Sequence, residues 1–200
     1  MIKAIIFDLS EVYLKGIIGA EHYMGPLLGI KPKDIRPMLR GDNLRSLFLG
    51  KITEDEYWKR TIEKHGWNVD VKTLKKVARK NFAEISGTRE IIVKLREQGF
   101  IIGLLSDHAR EWIEYLSKKF GYHKLFHSTL YSFEAGSCKP DKKIYGLMLA
   151  KLKIKPDECV FVDDKEKNLV PAKELGMKTI RFENAEQLKM ELARLSIGVD

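Results

Sequence analysis

Residues 3–7 read Lys-Ala-Ile-Ile-Phe and give way at once to Asp8. The same event recurs twice. Residues 100–105 (Phe-Ile-Ile-Gly-Leu-Leu) stop at Ser106, and residues 159–162 (Cys-Val-Phe-Val) stop at Asp163 and Asp164. A run of four to six residues with apolar side chains on both alternating faces suits a strand covered on both sides, as in a parallel sheet flanked by helices. Weaker strand patterns follow at 129–133 and 178–181.

Between these runs the apolar period becomes helical. Thr88 is the expected N-cap of a helix carrying Ile91, Ile92 and Leu95, which Gly99 ends. Further helices carry Trp112, Ile113 and Leu116, then Ile144, Leu147 and Met148. One more ends at Gly176, and a last one spans 185–195. Strands alternating with helices predict an α/β fold, a Rossmann-like parallel sheet with helices on both faces.

Residues 17–84 interrupt that alternation with helical periodicity alone. Thr53-Glu54-Asp55-Glu56 forms a capping box ahead of Tyr57, Trp58 and Ile62, and Leu74, Val77, Ala78 and Phe82 mark a later helix. The expected organisation is a core domain of residues 1–16 and 85–200 with a small α-helical cap domain of residues 17–84.

The chain has 200 residues, 44% of them hydrophobic, enough for one full core or a core plus a small insert. No apolar run approaches the roughly 18 residues of a membrane span, and the N-terminal run lacks a signal-peptide cleavage site. A soluble, cytoplasmic protein without membrane partners is expected. Cys138 and Cys159 show no metal-ligand spacing, and the five histidines do not cluster. The net charge is +8, but bases alternate with acids, as in Lys94-Leu95-Arg96-Glu97, so solvated helix faces are expected rather than a nucleic-acid surface. The positive field would still attract small anions. Nothing in the pattern sets an oligomeric state.

Open parallel sheets bind ligands outside the carboxyl ends of their strands. Those ends carry Asp8, Ser106, the loop with Lys139, and Asp163 with Asp164. A carboxylate can attack phosphorus, a hydroxyl and an ammonium can bind phosphate oxygens, and further carboxylates can hold Mg²⁺. Taken singly, each has a plainer reading: a turn former at Asp8, an N-cap at Ser106, a surface lysine at Lys139, a loop start at Asp163. Their fall at successive strand ends is what favours a shared site.

These segments resemble the motifs of the haloacid dehalogenase (HAD) superfamily. Ile5-Ile6-Phe7-Asp8-Leu9-Ser10-Glu11-Val12 is similar to the first motif, an apolar strand followed by D-x-D-x-T/V. Leu104-Leu105-Ser106-Asp107-His108 resembles the second, Cys138-Lys139-Pro140-Asp141 the third, and Val160-Phe161-Val162-Asp163-Asp164 with Asn168 the fourth. The resemblance covers the whole chain and implies a Mg²⁺-dependent phosphohydrolase acting on a small phosphorylated metabolite through an aspartyl phosphate. In that reading Asp8 is the nucleophile. Ser106, Asp107 and Lys139 bind the substrate, with Ser106 and Lys139 positioning the phosphoryl group. Asp8, the backbone carbonyl of Ser10, Asp163 and Asp164 hold the metal.

Two departures stand out. Ser10 occupies the place of the second motif-one aspartate, the usual acid/base, and Glu11 that of a usual glycine; Glu11 or another carboxylate is the expected partial replacement. Asp107 replaces a common asparagine, and either adds charge beside the phosphate or turns away to cap a helix. Tyr13, His22, Arg40, Arg45 and Trp58 could face the cleft. A 2-haloacid dehalogenase would share Asp8, Ser106 and Lys139 without needing a metal, and a non-catalytic binding module would explain Ser10.

Overall fold

The computed structural model describes residues 1–199. Its five strands are β1 (Ala4–Phe7), β2 (Ile101–Ser106), β3 (Ser128–Tyr131), β4 (Cys159–Asp163) and β5 (Lys178–Arg181). They form one parallel sheet in the order β3-β2-β1-β4-β5. The α/β expectation from the apolar runs holds. β1 lies at the centre because all four of its residues can be buried on both faces. Ala4 stands opposite Ile101 and Cys159, and Phe7 opposite Leu104 and Val162.

Between β1 and β2 the chain is helical, as its periodicity predicts: α1 (Glu21–Leu28), α2 (Pro32–Met38), α3 (Asp42–Phe48), α4 (Glu54–His65) and α5 (Val71–Ala78). The capping box at α4 forms as expected, with Thr53 Oγ1 accepting from Glu56 N–H and Glu56 Oε2 from Thr53 N–H. Where the chain leaves the sheet and where it returns lie side by side. Lys15 N–H donates to Ala83 O at 2.8 Å, and Ile85 N–H to Tyr13 O at 2.9 Å.

The rest of the chain builds the flanking layers: α6 (Thr88–Glu97), α7 (Arg110–Phe120), the single turn α8 (Ser132–Ala135), α9 (Lys142–Leu152), α10 (Glu166–Glu174) and α11 (Ala185–Arg194). Ile5 and Phe7 pack with residues of α6, α7 and α11, whereas Ala4 and Ile6 pack with those of α9 and α10. Gly103 in β2 sets how closely α9 approaches. A Cβ there would lie 2.5 Å from Met148 Cε and 3.0 Å from Leu152 Cδ1, so the missing side chain lets the helix rest on the strand.

Some local readings need correction. Thr88 is the first residue inside α6, not its cap, and its buried hydroxyl donates to Val12 O at 2.9 Å. Leu147 is exposed, because α9 buries Ile144, Tyr145 and Met148 instead. β3 ends at Tyr131 and the chain turns into α8, where Glu134 accepts from Tyr131 N–H. Among the described residues no helix is long and apolar enough to cross a membrane.

Candidate active site

Asp8 follows β1 directly, and its backbone N–H donates to Val162 O at 2.8 Å. That bond extends the β1–β4 pairing by one step and brings Asp8 beside Asp163, the last residue of β4. Carboxylate oxygens of Asp8, Asp163 and Asp164 all lie within 4.8 Å of one another. Three carboxylates so close repel unless a cation intervenes.

Lys139 supplies the protein's own cation. It comes from the loop before α9, whose N-cap, Asp141, accepts from Lys143 N–H. Its side chain is 1% exposed, and Nζ lies 2.9 Å from Asp8 Oδ1, 2.7 Å from Asp163 Oδ2 and 3.2 Å from Leu105 O. The plain surface-lysine reading is therefore wrong for this residue. Burial alone would lower the Lys139 pKa, but the surrounding charges of Asp163, Asp8 and Asp107 hold it above the usual lysine range.

Asp163 is fully buried and crowded by donors: Lys139 Nζ, Lys165 N–H and Asn168 Nδ2, the last reaching both of its oxygens. Burial raises its pKa. Because every one of those neighbours donates, the carboxylate still stands as the anion. Asp164 is looser: its side chain is 21% exposed and meets Lys165 Nζ at 3.3 Å.

Asp8 divides its two oxygens between separate tasks. Oδ1 accepts from Leu9 N–H at 2.7 Å and pairs with Lys139. Among the described residues nothing donates to Oδ2. Asp107 is neither a cap nor a bystander. The N-cap position of α7 is Ala109, and Asp107 Oδ1 accepts from Lys139 N–H at 3.0 Å while the residue lines the cavity. Burial pushes its pKa up to about 6, partly offset by Lys139 and reinforced by Asp8 and Asp163. Ser106 does not cap a helix either. It is completely buried, does not line the cavity, and its hydroxyl has no partner among the described residues.

The loop after Asp8 folds tightly. Glu11 adopts φ +63°, a conformation that disfavours side chains. Its Oε1 accepts from Gly16 N–H at 3.0 Å, and a Cβ at Gly16 would lie 2.9 Å from Ser10 Oγ. Burial raises the Glu11 pKa, against the opposing hydrogen bond from Gly16.

A cavity of about 550 Å³ opens over this cluster. Asp8, Ser10, Glu11, Lys139, Asp164 and Asn168 line it from the core, and Ile17, Leu39, Leu44 and Phe48 form an apolar wall. Arg40 and Arg45, expected to face a cleft, do line it. Tyr13, Trp58 and His22 do not. Tyr13 is buried with its hydroxyl on Glu84, Trp58 is buried against Tyr57 within the helical segment, and His22 faces a neighbouring depression beside Gly19 and Asn81. Sequence reasoning passed over Glu21, Arg36 and Lys165, and gave Asn168 no role. The spacing of Asn168, five residues past Asp163 in the first turn of α10, was a usable signal. For Arg36, on an exposed helix face rich in bases, there was none.

Residues 38–182 match the haloacid dehalogenase-like hydrolase family. Flavin mononucleotide hydrolase 1 of Arabidopsis thaliana is 30% identical over 150 residues, 75% of this chain and 60% of that protein. Glyceraldehyde 3-phosphate phosphatase of Methanopyrus kandleri is 32% identical over 103 residues, 50% of this chain and 43% of that one. The chain thus matches less than two thirds of the length of these curated relatives. In structure it is similar to a HAD family enzyme of Bacteroides thetaiotaomicron crystallised with magnesium and inorganic phosphate, with a TM-score of 0.75 and 24% identity over 92% of this chain and 96% of that one. With the match running over most of its length, the chain belongs to the haloacid dehalogenase-like hydrolase family.

Proposed function

We propose that this protein is a Mg²⁺-dependent phosphohydrolase of small phosphate monoesters, with Asp8 as its covalent nucleophile. The observation that carries the reading is the asymmetry of Asp8: one oxygen is pinned by Leu9 N–H and Lys139, and the other is left bare beside the cavity. A carboxylate so held is oriented before substrate arrives, and positioning is most of what phosphoryl transfer asks of a protein.

Asp8 Oδ2 attacks phosphorus, the P–O ester bond breaks, and the alcohol leaves with a proton. Water then attacks the aspartyl phosphate, releasing inorganic phosphate and restoring the carboxylate. Lys139 pairs with Asp8 Oδ1. It also positions the phosphoryl group, and Asp107 supports it by holding the Lys139 backbone, while Ser106, buried away from the cavity, takes no part in this reading. The three neighbouring carboxylates fit a hard cation that prefers oxygen ligands. Asp8, Asp164 and the Ser10 carbonyl would hold Mg²⁺, with Asp163, already saturated by donors, acting through water. When bound, the ion would neutralise charge between Asp8 and the phosphoryl oxygens. The fold's likeness to an enzyme crystallised with magnesium and phosphate supports this choice.

Residues 17–84 serve as the cap in this reading, closing over a core of 1–16 and 85–200. Glu11, lining the cavity with its pKa raised by burial, stands in for the acid/base absent at Ser10. Metal-free displacement of halide from carbon fits less well, since it would leave Asp164 as a third carboxylate without a use.

Hydrolysis of p-nitrophenyl phosphate with Mg²⁺ and with chelator, by wild type and Asp8→Asn, tests the proposal. Turnover should need the metal and vanish in the variant. Equal background from both proteins would favour a binding module instead.

A further inference from the structure

The helical segment and the core line the cavity with different chemistry. Arg36 on α2, Arg40 in the turn after it, and Arg45 on α3 all line the cavity from the helical segment. The five acids lining the same cavity are Asp8, Glu11, Glu21, Asp107 and Asp164. Four of these belong to the carboxylate cluster or its loop, where Lys139 and Lys165 meet them. Glu21 is buried and faces Arg36, its Oε1 lying 3.7 Å from Nε. Arg40 and Arg45 have no carboxylate within 4.0 Å among the described residues. The Arg45 charge acts to lower the pKa values of the Cys138 thiol and the Asp141 carboxylate, yet it forms no ion pair with Asp141. The apolar side chains of Ile17, Leu39, Leu44 and Phe48 line the same cavity.

We propose that Arg40 and Arg45 form a second anion subsite, and that the substrate is a phosphate monoester whose leaving group carries another anionic group, a carboxylate or a second phosphate. The inference rests on the phosphohydrolase reading and names its substrate class. An arginine is weakly hydrated and presents a planar fork of donors suited to either group. A cavity of about 550 Å³ leaves room for a body of several carbons between the two charges. The competing explanation is a general positive field that draws in every phosphate alike. It predicts uniform effects, whereas a subsite predicts selective ones.

Three probes of similar size, phosphorylated at the same carbon, separate these cases: glucose 6-phosphate with a neutral tail, 6-phosphogluconate with a carboxylate, and glucose 1,6-bisphosphate with a second phosphate. The quantity read is the kcat/KM ratio of each anionic probe to the neutral one. In wild type the ratio should exceed one for at least one anionic probe, and which arm responds identifies the tail. Arg40→Ala and Arg45→Ala should each lower it about tenfold. Lys33→Ala, on the exposed face of α2 away from the cavity, removes the same charge and should leave it unchanged. Calorimetric binding of the three probes to Asp8→Asn gives a readout that needs no turnover. Equal preference among probes in wild type, or an equal loss for all three in the arginine variants, would overturn the subsite. Selective binding without turnover by wild type would overturn the hydrolase reading and leave the subsite standing.

Discussion

In the proposed reaction Ser10 sits where a residue able to pass a proton to the leaving group is most useful, and a hydroxyl is a poor acid at neutral pH. Its surroundings explain how the position tolerates either outcome. Because residue 16 is glycine, nothing presses on the side chain at 10, and Glu11 turns its carboxylate to Gly16 N–H at the cost of a left-handed backbone. Such a conformation costs about 1–2 kcal/mol in a residue with a Cβ, so the glutamate is held there by its contacts. If proton delivery limits the reaction, Ser10→Asp should raise kcat on an alkyl phosphate by up to about 10²-fold, the lower end of what a positioned general acid contributes. On p-nitrophenyl phosphate, whose leaving group needs little protonation, the gain should be far smaller. Steady-state kinetics on the two substrates decides it, and an unchanged alkyl rate would mean that position 10 does not control turnover.

The helical segment is bound to the core chiefly through α7. Glu54, 1% exposed at the start of α4, accepts from the indole of Trp112 at 2.7 Å through Oε1 and meets Arg79 and Lys75 at 2.5 and 3.2 Å through Oε2. Nearby, the His108 ring stacks on Phe48 of α3 and stands edge-on to Trp112, with centroids 6.2 and 5.7 Å away. Its Nδ1 accepts from Ala109 N–H. Burial there lowers the His108 pKa to about 4 from an ordinary 6.5. The folded state therefore holds the neutral ring, while the unfolded chain takes up a proton below pH 6.5. The contribution to stability is complete above that pH and is lost as pH falls toward 4, about 3 kcal/mol in all. Urea denaturation across pH 4–8 should show this acid limb in wild type and a shallower one in His108→Asn, which keeps an acceptor but does not titrate. Parallel curves would remove His108 as the cause. The sequence marked the elements themselves well, because buried strands read as unbroken apolar runs and α4 carries its own cap. It could not mark this junction. Nothing in the pattern of residues 42–58 or 106–116 says that Glu54 will cross to Trp112, since such contacts depend on how separate helices dock.

At the scale of the whole molecule, the carboxylate cluster was legible for one topological reason: a parallel sheet gathers its strand ends at one edge, so residues distant in sequence had to converge. The arginines opposite were not legible as a group, because a +8 chain has many exposed bases and only tertiary packing selects which face a cavity. The same topology would make the proposed metal binding a matter of global stability, for a ligand that binds only the folded state shifts the unfolding equilibrium by mass action. Asp163 is a poor probe of that linkage. Its bonds to Lys139, Asn168 and Lys165 N–H tie β4 to the neighbouring loops, and replacing it would weaken the fold directly. Asp164 is the better one, since it is partly exposed and, among the described residues, its side chain pairs only with Lys165. At Mg²⁺ about 100-fold above its Kd, wild type should gain about 2.7 kcal/mol, a Tm rise of about 5–10 °C for a chain of this size, reversed by chelator. Asp164→Asn should unfold near the wild-type temperature without metal and gain markedly less with it, as followed by thermal denaturation monitored by circular dichroism. A full metal-induced shift in that variant would take Asp164 out of the proposed ligand set, and no shift in wild type would remove the metal from the mechanism.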